Sequence, residues 1–288
     1  VKNSKNLMDG IILLNKLVGI TSYEALYPIK KYFSTSRIGH TGILDKFASG
    51  LLVVLVGKYT KLSGYITSLD KEYISEFEFG IETDTLDPNG KIINSTDYVP
   101  SLNEVVLGVE SLIGEIFQVP PQFSSIHVKG QRAYKLALSG QSFHLQARRI
   151  NIYDIEILDY NIDSRILKLK IKCSKGTYVR SIARDLGHAL GSCAYVKSLK
   201  RTQIGDFKLD DAYCFDKLND DSLLGIESLN FFEKIYVDNN MIRLIQNGIY
   251  INIAINDGEF KILKSKNEKT LAIICGIGLN KYRYVIIF

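Results

Sequence analysis

The chain has 288 residues, 46% of them hydrophobic, enough to bury a sizeable core in one or two domains. Lys and Arg number 36 against 31 Asp and Glu, a modest formal charge of +5 whose distribution is more informative than its size. No apolar run reaches the length of a membrane span, the opening Val-Lys-Asn-Ser-Lys lacks an apolar signal region, and Cys173, Cys193, Cys214 and Cys275 show neither Cys-x-x-Cys nor metal spacing, which argues against a membrane, secreted, disulfide-framed or zinc protein and for structural thiols in a reducing cytosol.

Residues 10–15 read as a short buried strand, followed by a turn through 16–19. Thr21-Ser-Tyr-Glu24 has the spacing of a capping box and predicts a helix through Lys31. Residues 37–50 then place His40 and Asp45 among the pivots Gly39, Gly42 and Gly50, and run into the apolar stretch 51–57, a fully buried strand. A carboxylate on a tight loop beside a rigid strand is how a reactive group is presented; the alternative is an aspartate that merely caps a turn. Residues 60–68 suit a helix.

Residues 71–80 alternate, with Tyr73, Phe77 and Phe79 on one face and Glu76 and Glu78 on the other, so the Tyr73 ring faces inward with its hydroxyl available. The polar loop 80–90 contains Asp84 and Asp87, but no third ligand at useful spacing, so loop-internal capping by Thr83, Asp84 and Thr85 is the expectation. A helix fits 102–113, and Val119-Pro-Pro-Gln122 ends the pattern. Between Glu115 and Asp154 there is no acid, whereas Lys129, Arg132, Lys135, Arg148 and Arg149 fall inside. This segment reads as a strand over 123–128, a turn at Lys129-Gly130 and a helix over 132–138, together a basic excursion suited to gripping RNA.

Residues 165–173 form the clearest alternating strand: Leu167, Leu169, Ile171 and Cys173 in, Lys168, Lys170 and Lys172 out. Thr177 is placed to cap a helix whose stripe is Val179, Ile182, Ala183, Leu186 and Leu190, with Arg180 and Arg184 one turn apart beside it. From Asp163 to Asp206 the only interior acid is Asp185, and acids then dominate 206–240. Two basic blocks with the acids segregated elsewhere point to a polyanion such as nucleic acid. Residues 248–253, 259–263, 270–275 and 282–288 read as four short strands, a small all-β appendage.

In order along the chain, Asn15-Lys-Leu-Val-Gly-Ile-Thr-Ser22, Gly39-His-Thr-Gly-Ile-Leu-Asp45 with Ala48-Ser-Gly-Leu-Leu52, Lys71-Glu-Tyr73, Thr83-Asp-Thr-Leu-Asp87 with Gly90, Pro120-Pro-Gln-Phe-Ser-Ser-Ile126, Lys129-Gly-Gln-Arg-Ala-Tyr134, Lys175-Gly-Thr-Tyr-Val-Arg-Ser-Ile182 and Leu199-Lys-Arg-Thr202 resemble the motifs of the TruB family of tRNA pseudouridine synthases. The resemblance spans nearly the whole chain. It departs at Leu17 and Lys46, where the family usually has proline, and at His127, where it often has lysine. Each lost proline removes a fixed φ, and Lys46 adds a charge that would favour an ionised Asp45 if the two are close.

The resemblance implies an α+β pseudouridine synthase core with a mixed, largely antiparallel sheet over residues 1–235, including a basic RNA-gripping insertion at about 120–150, and a PUA-like C-terminal β domain over 236–288. It implies an isomerase, cytoplasmic and monomeric, that flips the T-loop uridine at position 55 of tRNA, breaks its N1–C1′ bond, turns the base and rejoins it through C5, with no cofactor, metal, membrane or guide RNA. The lack of terminal extensions favours this stand-alone type over guide-dependent relatives. By the same resemblance Asp45 acts on the sugar, Tyr73 stacks on the base and handles the C5 proton, Arg180 keeps Asp45 charged and oriented, and His40, Tyr178 and Leu199 support the flipped nucleotide. Lys129, Arg132, Arg148 and Arg149 would hold T-arm phosphates. A non-catalytic tRNA-binding or folding protein explains the basic blocks equally well but leaves Asp45, Tyr73 and Arg180 without a task. A nucleotide hydrolase fails, because Lys58 is not followed by Ser or Thr and the upstream glycine of a phosphate loop is missing.

Overall fold

The structure, a computed structural model, describes residues 8–288, so the opening Val-Lys-Asn-Ser-Lys lies outside the described residues. β1 (Gly10–Lys16) leads through a 3-10 turn at Glu24–Leu26 into α1 (Tyr27–Tyr32). The capping box forms: the Glu24 amide donates to Thr21 Oγ1 at 3.1 Å and the Thr21 amide to Glu24 Oε2 at 2.6 Å. β2 (Ile38–Thr41) and β3 (Ser49–Val56) flank the loop 42–48. Both faces of β3 are covered. Leu52, Val54 and Val56 pack with Ile29 and Phe33, while Leu51, Val53 and Leu55 pack with Leu62, Ile66 and the distant Ile262, Ile273 and Ile286. Burial on two sides is why this strand is apolar throughout instead of alternating.

A 3-10 stretch, Gly57–Leu62, and α2 (Ser63–Ser68) precede β4 (Lys71–Phe79), on which Tyr73, Phe77 and Phe79 are buried and Glu72, Glu76 and Glu78 half-buried. β5 (Ile81–Thr83) and β6 (Ile92–Ser95) close the polar loop as a ribbon, and α3 (Leu102–Ser111) starts at a capping box of Ser101 and Glu104. After β7 (Gly114–Gln118), the basic segment forms only a short hairpin, β8 (His127–Val128) with β9 (Gln131–Arg132), and then α4 (Ala133–Leu138). The longer strand expected over 123–128 is absent because its carbonyls are taken elsewhere. Ser124 and Ile126 accept from the Tyr134 and Ala133 amides at 3.0 and 2.7 Å, so the chain folds back on the start of α4.

β10 (Arg148–Asn161), β11 (Ile166–Cys173), α5 (Val179–Ala189), β12 (Ala194–Ile204) and β13 (Phe207–Lys208) complete a nine-stranded sheet. Its order is β1-β3-β12-β4-β11-β10-β7, with β2 beside β3 and β13 beside β12. Only β3 and β12 pair in parallel, through Ser49 opposite Lys200 and Gly50 opposite Arg201. The mixed, largely antiparallel core of the α+β expectation is therefore present. Arg148 and Arg149 open β10 and belong to this sheet, so the basic excursion ends before them. α3 and α5 cover one face, packing Val105, Val109, Ile182 and Leu186 against Phe77, Leu169 and Ile171.

Thr177 does not cap α5. Its hydroxyl donates to the Ser174 carbonyl at 2.9 Å, and the Tyr178 amide at the helix start donates instead to Gln118 Oε1 at 2.8 Å.

The second sheet has the order β14 (Glu233–Val237), β15 (Phe260–Ser265), β16 (Thr270–Gly276) and β17 (Tyr282–Ile287), with β14 parallel to β15 and the helix α6 (Asn239–Gln246) between them in sequence. The appendage is thus not all β, and the expected boundary between 235 and 236 cuts through β14. Residues 248–253 are not a strand: their backbone is met by tyrosine hydroxyls, with the Ile251 amide donating to Tyr282 Oη at 3.0 Å and Tyr284 Oη donating to the Ile249 carbonyl at 2.8 Å. The two sheets share a core. Ile11, Leu13 and Leu55 pack with Ile262, Ile273 and Val285, and Tyr65 from α2 meets Phe231, Phe232 and Phe260. Among the described residues, no helix is long and apolar enough to cross a membrane.

Candidate active site

Asp45 stands on the loop between β2 and β3, and the residues of the first turn hold that loop in place. Ser22 Oγ accepts from the Leu44 amide at 2.8 Å and donates to the Leu44 carbonyl at 3.1 Å, and the Gly19 amide donates to the Lys46 carbonyl at 2.8 Å. Lys16, fully buried, donates through Nζ to the carbonyls of Leu17 and Ile20 at 3.0 and 2.8 Å. Those bonds shape the 16–22 turn without a proline at Leu17. Burial lowers the Lys16 ammonium to about 8, against the pull of Asp45.

Arg180, at the start of α5, is almost wholly buried and faces Asp45 with two nitrogens. Nη2 donates to Oδ1 at 3.1 Å and Nε lies 2.8 Å from Oδ2. The rest of the guanidinium is fixed by the Thr85 and Phe123 carbonyls at 2.8 and 3.1 Å and by Asp87 Oδ2 at 3.7 Å. Such a fork fixes the plane of a carboxylate as well as its charge. Desolvation nevertheless raises the Asp45 carboxyl above its ordinary value; Arg180 and Lys16 oppose that rise and Asp87 adds to it. Lys46 is exposed and lines a different cleft.

Tyr73 on β4 is buried directly across from Arg201 on β12. Burial pushes the phenol up, with the Arg201 guanidinium opposing, so Tyr73 is protonated at neutral pH. Arg201 is 1% exposed and donates from Nε to the Leu51 carbonyl at 2.8 Å and from Nη2 to the Gly42 carbonyl at 3.1 Å, tying β3 and the loop that carries Asp45 together. Gly50 (φ +103°) permits this approach, since a Cβ there would lie 2.3 Å from the Arg201 carbonyl. Burial, helped by Arg201, lowers the His40 imidazole, and its buried Nδ1 has no partner. Gln118 clamps Tyr178 through both its amide and its carbonyl.

One cavity of about 590 Å³ is lined by Asp45, Tyr73, Arg180, His40, Tyr178 and Leu199 together. That volume suits a small organic ligand or a single nucleoside. The four basic residues expected to hold phosphates do not line this cavity, although two lie beside its wall: Arg132 donates to the carbonyl of Ser125 at 2.6 Å, and the charge of Arg148, exposed on β10, acts on Tyr178; Lys129 is in the β8–β9 turn and Arg149 is ion-paired with Glu115. Asp84 and Asp87 do cap their loop, accepting from the amides of Lys91 and Asn89. Sequence reasoning missed the reach of Asp87 to Arg180, and gave Arg201 no role. The available signal was an arginine two positions after the inward Leu199 of β12.

The family profile described as TruB family pseudouridylate synthase (N terminal domain) matches residues 30–179, and that described as tRNA pseudouridylate synthase B C-terminal domain matches 180–230. The chain is 59% identical over 280 residues to tRNA pseudouridine synthase B of Borreliella burgdorferi (strain ZS7), covering 97% of this chain and 99% of that one. It is 40% identical over 250 residues to the protein of the same name from Francisella tularensis subsp. holarctica, covering 85% and 81%. The fold is also similar to that in the crystal structure of a Cbf5-Nop10-Gar1 complex, with a TM-score of 0.72 at 21% identity over 94% of this chain and 79% of that one.

Proposed function

As a member of the TruB family of pseudouridylate synthases, this chain is an isomerase that forms pseudouridine in tRNA, and we propose that its substrate is the T-loop uridine at position 55. The observation that carries this reading is the convergence on one cavity of an oriented carboxylate, Asp45, with Tyr73, His40, Tyr178 and Leu199 around it. The target nucleotide must leave its stack to reach Asp45, at a cost of a few kcal/mol. We read His40, Tyr178 and Leu199 as supports for the flipped nucleotide, with His40 neutral because burial lowers its imidazole.

Asp45 acts as the anion, either by adding to C1′ or by taking the C2′ proton. Both routes break N1–C1′, free the uracil to turn on the Tyr73 ring, and close C5–C1′; the C5 hydrogen then leaves as a proton, N1 gains one, and in the second route C2′ regains the proton that Asp45 took. A protonated Tyr73 beside Arg201 suits the relay of that proton, the guanidinium stabilising any transient phenolate. Tyr73→Phe should therefore bind RNA as before and turn over about 100-fold more slowly or worse, as read in single-turnover assays. Full turnover would remove the hydroxyl from the chemistry.

We read the C-terminal sheet and α6 as the PUA-like unit of this enzyme, which works as a cytoplasmic monomer without guide RNA. The test is to incubate an unmodified T-arm stem-loop with the protein alone and map pseudouridine. Product at the T-loop uridine is expected; an unmodified T-loop overturns the assignment. A purely RNA-binding role leaves the Asp45–Arg180–Asp87 group, assembled in a ligand-sized cavity, without a purpose.

A further inference from the structure

Ser124 lines the Asp45 cavity, in a stretch whose backbone is fixed by its neighbours. Its amide donates to the Gln122 carbonyl at 3.0 Å, and its carbonyl accepts from the Tyr134 amide at 3.0 Å. The flanking carbonyls of Phe123 and Ser125 accept from Arg180 at 3.1 Å and from Arg132 at 2.6 Å. Just before the two prolines, the Val119 carbonyl accepts from Ser181 and Arg184 of α5. The Ser124 hydroxyl is the exception. The residue is 4% exposed, and its Oγ has no hydrogen-bond partner among the described residues. Its neighbour is the Tyr178 phenol, which burial pushes up while Arg148, Arg180 and the Ser124 hydroxyl oppose the rise. The two hydroxyls do not meet in hydrogen-bond geometry. A buried hydroxyl left unpaired is destabilising, and native structures keep few such groups.

We propose that the Ser124 hydroxyl hydrogen-bonds the ribose 2′-hydroxyl of the flipped nucleotide, so that the site reads the sugar of its target as well as the base. The inference rests on the reading of this cavity as the place of uridine isomerisation, and it adds a binding residue to that reading. Position selects the sugar. Arg180 Nη2 donates both to Asp45 Oδ1 and to the Phe123 carbonyl, so Ser124 directly follows a group anchored on the same nitrogen as the reacting carboxylate. By either route Asp45 lies against C1′ and C2′, whereas the base lies on the Tyr73 ring, which puts Ser124 on the sugar side. Charge selects a hydroxyl over a phosphate. The cation beside Ser124 is Arg180, already taken up by Asp45, Asp87 and two carbonyls, and Arg148 is exposed and does not line the cavity. A phosphate there would set a second anion beside Asp45 with no cation free to balance it. The 2′-hydroxyl is neutral, both donates and accepts, and is the group that marks RNA.

The test has two arms. In the free protein Ser124→Ala removes a hydroxyl that has no partner, so the variant should melt at or slightly above the parental temperature. In the second arm, Kd is measured for T-arm stem-loops carrying uridine or 2′-deoxyuridine at the target position, with and without Ser124→Ala, in an Asp45→Asn background that does not consume the RNA. With uridine, Ser124→Ala should weaken binding on the order of tenfold, and removing the 2′-hydroxyl should weaken binding to the Ser124 protein by a similar factor. The two losses should not add: against 2′-deoxyuridine the alanine variant and its parent should bind within about twofold of each other. A 2′-deoxy nucleotide placed next to the target should leave the whole effect of Ser124→Ala in place. Losses that multiply at the target position, or an alanine variant that binds the uridine stem-loop as its parent does, overturn the proposal. So does a variant that melts several degrees lower, because the hydroxyl then serves the fold and not the RNA. If the wild-type protein makes no pseudouridine, the proposed function falls, while the coupling of Ser124 to the 2′-hydroxyl is still read from binding alone.

Discussion

Asp45→Asn should fold normally, bind the T-arm stem-loop with near-native affinity, and form pseudouridine at least about 10⁴-fold more slowly, a loss of roughly 5.4 kcal/mol of transition-state stabilisation at 1.36 kcal/mol per tenfold. The amide matches the carboxylate in size and can still accept from Arg180 through its oxygen. It offers neither the negative charge that adds to C1′ nor the base that removes the C2′ proton, so both routes fail together. Folding is spared because the loop is held by Ser22, Gly19 and Arg201, none of which bonds to the Asp45 carboxylate. Single-turnover measurement of product, with binding followed separately, checks the expectation. A folded variant that isomerises RNA at the parental rate would remove Asp45 from the chemistry.

The second large effect is at Arg180. Arg180→Ala leaves Asp45 and Asp87 facing each other and two carbonyls, of Thr85 and Phe123, without their donor. Removing one member of a buried pair costs about 3–5 kcal/mol, and the partial exposure of Asp45 places this one toward the lower end. Arg180→Lys is the more discriminating variant, since it keeps a cation but cannot grip both carboxylate oxygens and both carbonyls at once. It should retain RNA binding and most of its thermal stability while kcat falls on the order of 100-fold, because the carboxylate is no longer held in plane.

The pH profile separates charge from orientation. Burial already raises the Asp45 carboxyl, and the active form is the anion, so activity is present above that value and is lost as pH falls through it. Without a guanidinium to oppose the rise, the acid limb of kcat should move to higher pH in Arg180→Ala and move less in Arg180→Lys. An Arg180→Lys enzyme with normal melting and full kcat would show that the fork does not orient Asp45.

Much of the catalytic half was legible because its signals are local. β3 is apolar over its whole length, β4 and β11 alternate with period two, and Asp45 falls in a glycine-punctuated loop between recognisable elements. The misses are contacts that close across long sequence separations. Thr177 has the chemistry of a cap, but Gln118, sixty positions earlier, reaches the amide instead. Arg201 lies inside an inward-facing strand position, and only the parallel pairing of β12 with β3 shows why an arginine belongs there. Residues 248–253 have strand-like composition, yet β14, from the acidic stretch before them, takes the parallel place beside β15. Ile251 and Ile253 are half-buried and buried without any ladder, and Ile249 is exposed.

The core shared by the two sheets has a mechanical consequence. Tyr65, Phe207, Phe231, Phe232 and Phe260 interlock around the junction, and Lys58 Nζ donates to the Ile287 carbonyl at 3.2 Å. Swinging the C-terminal unit away would expose that aromatic cluster to water, so it does not serve as a hinged arm. The distance from the C-terminal sheet to the Asp45 cavity is thereby set by packing, and any partner that touched both would meet a fixed spacing.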